Sequence, residues 1–193
     1  MPAARESLLE AAQVALSGRP WPAVRMVDVA AAAGVSRQTL YNEFGGKDGL
    51  ARALVRRETD WFLAGVDRAL GGPAGPRERL VALAEWTVRA ARAHPLVRAL
   101  LTGCWDERLP APRTVAPAAR LPAPRRADAV PEPAELARAV RDRAAAALAG
   151  DEADAHRCEL AVRLALSYVI APGEGPDGAV LAELLGLVDP RAR

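Results

Sequence analysis

The chain has 193 residues, of which 51% are hydrophobic and only 4% aromatic, and its formal net charge is +2. That length suffices for one or two small domains with a core written mostly in Leu, Val and Ala. The near-neutral charge excludes nucleic-acid binding through a broad basic field, so any such affinity must rest on local placement and symmetry.

In chain order, Ser7 to Leu16 is predicted as an amphipathic helix with Leu8, Leu9, Ala12, Ala15 and Leu16 inward, ended by Gly18-Arg19-Pro20-Trp21-Pro22. From Val27 to Phe44 the order is short apolar helix (27–33), Gly34-Val35, Ser36, then a second short helix. This is the plan of a helix-turn-helix. Two steeply crossing helices need a small residue where their axes approach, which Ala30 supplies, and Gly34 can take the left-handed conformation of the turn. Val29, Ala33, Val35, Leu40 and Phe44 fall at inward positions, and Ser36 is placed to cap the second helix.

Residues 36–47 hold the only Lys and the only Asn of the chain, with one of its two Gln, two Tyr and two Phe. Against an Ala-, Leu- and Arg-rich background, such a cluster reads or grips a partner. An Ala-rich helical hairpin with a polar outer face would share the apolar pattern and leave this cluster unexplained.

The block from Ser7 to about Trp61 resembles the DNA-binding domain of the tetracycline-repressor (TetR) family. Its motif is Val29-Ala30…Gly34-Val35-Ser36…Thr39-Leu40-Tyr41…Phe44…Lys47-Asp48-Gly49-Leu50. The resemblance covers about the first third of the chain; the remainder matches in helical organisation. It implies an all-α protein, with a three-helix DNA-binding domain at 1–52 and a ligand-binding and dimerisation domain at 53–193. Arg37 and Gln38 then start a helix that enters the major groove, where Arg suits guanine O6/N7 and Gln suits adenine N6/N7. Asn42, one turn on, suits adenine in the same way. Thr39 offers a methyl and a hydroxyl, Tyr41 a hydroxyl to phosphate, and Ser36 sits at the helix start. Lys47 is expected to grip phosphate at the start of the fourth helix. Arg25 departs from the family, in which many members carry Thr there, and reaches phosphate by charge. Glu43 is unfavourable beside DNA unless it orients a neighbouring Arg.

Further helices are predicted at 47–70, 77–94, 95–102, 134–149 and 152–171, with a final short one at 177–188. Residues 106–133 hold seven of the sixteen Pro and read as a loop. Between Leu160 and Ala171 the only polar side chains are Arg163 and Ser167, so that part of the last long helix needs cover on every side. Pairing of 134–149 and 152–171 across a twofold axis, as the resemblance implies, would supply it. Phe62, Leu83, Trp86, Leu100, Leu101, Trp105 and Tyr168, with His94 and Cys104 as sparse polar groups, are candidates to line a pocket for a small hydrophobic effector such as a fatty acyl or aromatic compound.

Cys104 and Cys158 stand in no ligand-like spacing and read as buried structural residues; no metal site or cofactor is expected. No nucleophile, base and orienting group recur at a recognisable spacing, so an enzyme is not expected. With no signal-peptide core and no apolar run of the roughly 20 residues a membrane span needs, the expectation is a cytoplasmic homodimer on a double-stranded DNA operator. The rival reading is a helical small-molecule binding protein that never touches DNA.

Overall fold

The computed structural model describes residues 2–111, 130–148 and 152–171. Among them every long element is an α-helix: α1 (Pro2–Gly18), α2 (Met26–Ala32), α3 (Arg37–Phe44), α4 (Lys47–Leu70), α5 (Pro76–Ala93), α6 (Pro95–Thr102), α7 (Pro133–Leu148) and α8 (Glu152–Ile170), with a 3-10 turn at Trp21–Ala23. The all-helical expectation holds. Helix α1 starts earlier than Ser7 because proline is tolerated in a first helical turn, where its missing N–H has no partner to lose. The predicted helix at 177–188 and residues 112–129 of the Pro-rich tract lie outside the described residues.

These helices form two compact units: residues 2–58 with 105–111, and residues 59–104 with 131–148 and 152–171. Helix α4 contributes its first half to one and its second half to the other.

In the first unit, Leu8 and Ala12 of α1 meet Val29 of α2, Leu40 of α3 and Leu50 and Leu54 of α4 in one core, each almost wholly removed from water. Burying a Leu or Val side chain stabilises by about 1.5–3 kcal/mol, so these few residues fix the packing of all four helices. Ala33 and Val35 pack against this core half-buried. The turn after α2 follows from backbone chemistry. Gly34 has φ 68°, its N–H donates to Ala31 O (3.1 Å), and the Val35 N–H donates to Ala30 O (3.0 Å). This paired closure satisfies two carbonyls at the helix end and places a Cβ-free residue where an L side chain is strained.

In the second unit, α5 packs on α6 and α8, and α7 on α6 and α8. Leu80, Leu83, Ala84, Thr87, Val88 and Ala91 of α5 are buried. The buried Thr87 hydroxyl is satisfied by donating to Leu83 O at 2.9 Å. The Trp86 indole lies over α4 at Gly65, where any Cβ would overlap it, and its Nε1 donates to Phe62 O at 3.1 Å. On α8, Cys158, Ala161, Val162, Ala165 and Val169 are buried, whereas Ile170 is 64% exposed and Leu164 half-buried. The single chain covers one face of α8, not every side. No helix among the described residues is long and apolar enough to cross a membrane.

Candidate nucleic-acid interface

Helix α3 is eight residues long, and short helices are marginal unless their ends are satisfied. Ser36 has extended backbone angles (φ −71°, ψ 153°) and its Oγ accepts from the Thr39 N–H at 3.0 Å, which caps the helix. The Thr39 hydroxyl pairs with the Ser36 hydroxyl at 2.9 Å. Thr39 is therefore half-buried and engaged in the cap, while Arg37, Gln38, Tyr41 and Asn42 stand exposed on the outer face. Gln38 Nε2 donates to Asn42 Oδ1 at 2.8 Å across one helical turn. Among the described residues, Arg37 has no hydrogen-bond or ion-pair partner. The helix ends on Phe44, whose ring is buried in the core.

The acidic groups around α3 are occupied. Arg5 of α1 lies 3.7 Å from Glu43 Oε2, donates to Glu43 O at 3.3 Å, and stacks its guanidinium 4.7 Å from the centre of the Phe44 ring. Arg5 was not a candidate in the sequence, because it acts on residues far along the chain. At the start of α2, Arg25 donates from Nε and Nη2 to the two carboxylate oxygens of Asp28, each at 2.9 Å. This hydrogen-bonded pairing raises the Arg25 pKa and holds the Asp28 carboxyl below its usual range. Arg19 adds a second cation 3.4 Å from Asp28. Arg25 remains 73% exposed, so the pairing orients its guanidinium without hiding it. Asp28 is the functional neighbour that the sequence reading passed over; the signal was the Arg-x-x-Asp spacing at a helix start.

Lys47 sits at the start of α4. Its Nζ donates to Pro22 O at 3.0 Å and lies 5.3 Å from the centre of the Trp21 ring, and burial lowers its pKa. An ammonium has three donors, so this tie to the 3-10 turn leaves others for an anion. The turn is itself anchored: the Trp21 N–H donates to Arg108 O at 2.7 Å. Lys47 thus couples the turn ahead of α2 to the helix that follows α3.

The effector-lining candidates fall in both units. Phe62, Leu83, Leu100 and Leu101 are buried, and Trp86, His94 and Tyr168 are half-buried, all in the second unit. Trp105 belongs to the first unit. Cys104 is exposed, against the expectation of a buried thiol, because α6 ends at Thr102 and its following residues leave the helix; Cys158 is buried as expected. Trp61, not among the candidates, stacks with Trp86 (5.0 Å between ring centres) and with His94 (4.0 Å). No cluster of His, Cys, Asp and Glu suited to a metal ion occurs among the described residues.

Residues 8–54 match the model of the bacterial regulatory proteins of the tetR family. The HTH-type transcriptional regulator AlkX of Mycobacterium tuberculosis (strain ATCC 25618 / H37Rv) is 37% identical over 190 residues, an alignment covering 97% of this chain and 84% of that protein. Among solved structures, the TetR family repressor AlkX from Dietzia sp. strain DQ12-45-1b, implicated in biodegradation of n-alkanes, is similar with a TM-score of 0.53 at 22% identity, covering 96% of both chains. A transcriptional regulator of the TetR/AcrR family from Thermobifida fusca aligns with a TM-score of 0.61 at 16% identity over 98% of both chains.

Proposed function

The chain belongs to the TetR family of DNA-binding transcriptional regulators, and on that premise we propose that it is a repressor that binds a pseudo-palindromic operator as a homodimer and leaves it when a small apolar molecule binds. We assign DNA binding to residues 1–52 and dimerisation and effector binding to 53–193. The observation that carries the reading is the capped helix α3, which holds Arg37, Gln38, Tyr41 and Asn42 together on an exposed face. Arg37 and Gln38, in its first turn, approach base edges, while Tyr41, Lys47 and the exposed Arg25 take phosphate and set register.

Dimerisation through α7 and α8 is supported by the apolar surface that one chain leaves on α8, at Ile170 and Leu164. A twofold pair spaces two reading helices by a helical turn of DNA or a multiple of it. An apolar effector is supported by an interior of Leu, Val, Ala and Phe62, in which an anion would lack a paired cation. The implication of the Dietzia repressor in n-alkane biodegradation points to the same chemistry.

Selection of bound duplexes from a random pool tests the reading. The expected product is one sequence with two inverted half-sites, retarded in a mobility-shift assay as a complex with two chains, and released by fatty acyl or aromatic compounds. Enrichment of no sequence refutes operator recognition; a single half-site bound by one chain refutes the dimer.

A further inference from the structure

We propose that Gln38 and Asn42 read DNA as one unit, in which Asn42 is a positioning residue that fixes the carboxamide of Gln38 toward a single adenine. This rests on operator binding through α3 and assigns different tasks to two residues that the sequence treats alike.

The geometry begins with spacing. Residues four apart on a helix are neighbours, and here the Gln38 amide nitrogen donates to Asn42 Oδ1 at 2.8 Å on the exposed face of α3. A free Gln side chain turns about three torsions and presents either end of its amide outward, nitrogen or oxygen. Each end matches different bases, so a free Gln discriminates poorly and loses rotamer entropy when it settles. The bond to Asn42 Oδ1 biases that choice, because the nitrogen end donates to it, whereas presenting the oxygen end would require the Asn42 amide to turn as well.

The bond also leaves the reading edge intact. A carboxamide nitrogen carries two protons. The one on the same side as Oε1 completes a two-point edge, in which Oε1 accepts from adenine N6 and the N–H donates to adenine N7. The other proton points away from that edge, so donating it to Asn42 leaves the edge free. Gln38 therefore meets adenine with its polarity biased before contact.

The test uses the full chain and the duplex that it enriches from a random pool. Binding of that duplex is compared with duplexes carrying each other base at every position of one half-site. Gln38→Ala is expected to abolish preference for adenine at one position. Asn42→Ala is expected to weaken preference at that same position by about three- to tenfold, the worth of one neutral hydrogen bond. The double variant should be no worse there than Gln38→Ala alone. Asn42→Asp keeps an acceptor oxygen, so it should retain the adenine preference while its charge lowers affinity for every duplex. Both positions of change are exposed, and unchanged helical circular dichroism verifies the fold. The proposal is overturned if Asn42→Ala relaxes a different position with effects that add to those of Gln38→Ala, or if Asn42→Asp loses the preference as Asn42→Ala does. If the parent enriches no sequence, operator recognition itself falls and this proposal with it.

Discussion

Replacing Ser36 by Ala should loosen the reading helix from its first turn. The Ser36 hydroxyl accepts the Thr39 N–H at 3.0 Å, and Ala leaves that donor to water. Losing an N-cap costs about 1 kcal/mol, within a range of about 0.5–2. The accompanying Ser36–Thr39 hydroxyl pair is exposed and adds little. For a chain of this size, 1 kcal/mol lowers Tm by about 2–4 °C. If the frayed helix must re-form on DNA, the same energy weakens each half-site by at most about fivefold. Ser36→Asp separates the two effects. A carboxylate caps as well as a hydroxyl and suits the positive end of the helix, so Tm should return to the parent value. Beside phosphate the same charge repels, so DNA affinity should fall below that of Ser36→Ala. Thermal melting by circular dichroism and a mobility shift at fixed salt read both quantities. Ser36→Ala melting with the parent, and Ser36→Asp below it, would refute the cap.

Lys47→Ala should weaken all sequences alike and lower the slope of log affinity against log salt by about 0.9 for each half-site phosphate lost; an altered base preference would show that Lys47 reads rather than grips. Ile170→Glu changes a residue that the single chain leaves exposed, so the fold should persist while light scattering reports a monomer; an intact dimer would place the interface elsewhere. Gly65→Ala drives a methyl into the Trp86 indole and should destabilise by about 1–3 kcal/mol despite the better helix propensity of Ala, with a shifted Trp emission; a stabilised chain would contradict the packing of Trp86 on α4. Because pairing with Arg25 depresses the folded pKa of Asp28, its stabilising effect is present above the ordinary carboxylate pKa and fades as pH falls through the folded value. Asp28→Asn should therefore flatten the acid side of the stability curve, and an unchanged acid transition would mean that the pair contributes nothing.

The helix-turn-helix was legible because its signals are local. A φ of 68° at Gly34 and the cap at Ser36 are demands of single residues, met by residue types that can be recognised in sequence. The polar cluster stood out because its Ala-rich surroundings were plain. Apart from the local Arg25–Asp28 pair, what escaped depends on residues far apart in the chain. Nothing in the first turns of α1 announces that Arg5 will clasp Glu43, and Trp61 shows its role only when α5 brings Trp86 and His94 against it. The effector candidates fall in both units, because large apolar side chains look alike in sequence whether they enter the core of the second unit, as Phe62 does, or belong to the first, like Trp105.

A net charge of +2 also becomes intelligible at the level of these pairs. Asp28 and Glu43 stand on or beside the reading motif, where uncompensated carboxylates would repel phosphate over roughly a Debye length of 8–10 Å. Asp28 is bridged by Arg25 and Arg19, and Glu43 faces Arg5. Each acid is thereby neutralised locally and turned into a device that orients an arginine. Exposed ion pairs of this kind contribute little to stability, so their value lies in where they hold charge rather than in how much they stabilise. Arg37 on α3 and the remaining donors of Lys47 then face outward from surroundings that are close to neutral. On the proposed function, specific binding needs only that local excess when two copies act together, whereas a broadly basic surface would raise affinity for every sequence and reduce the discrimination assigned to α3.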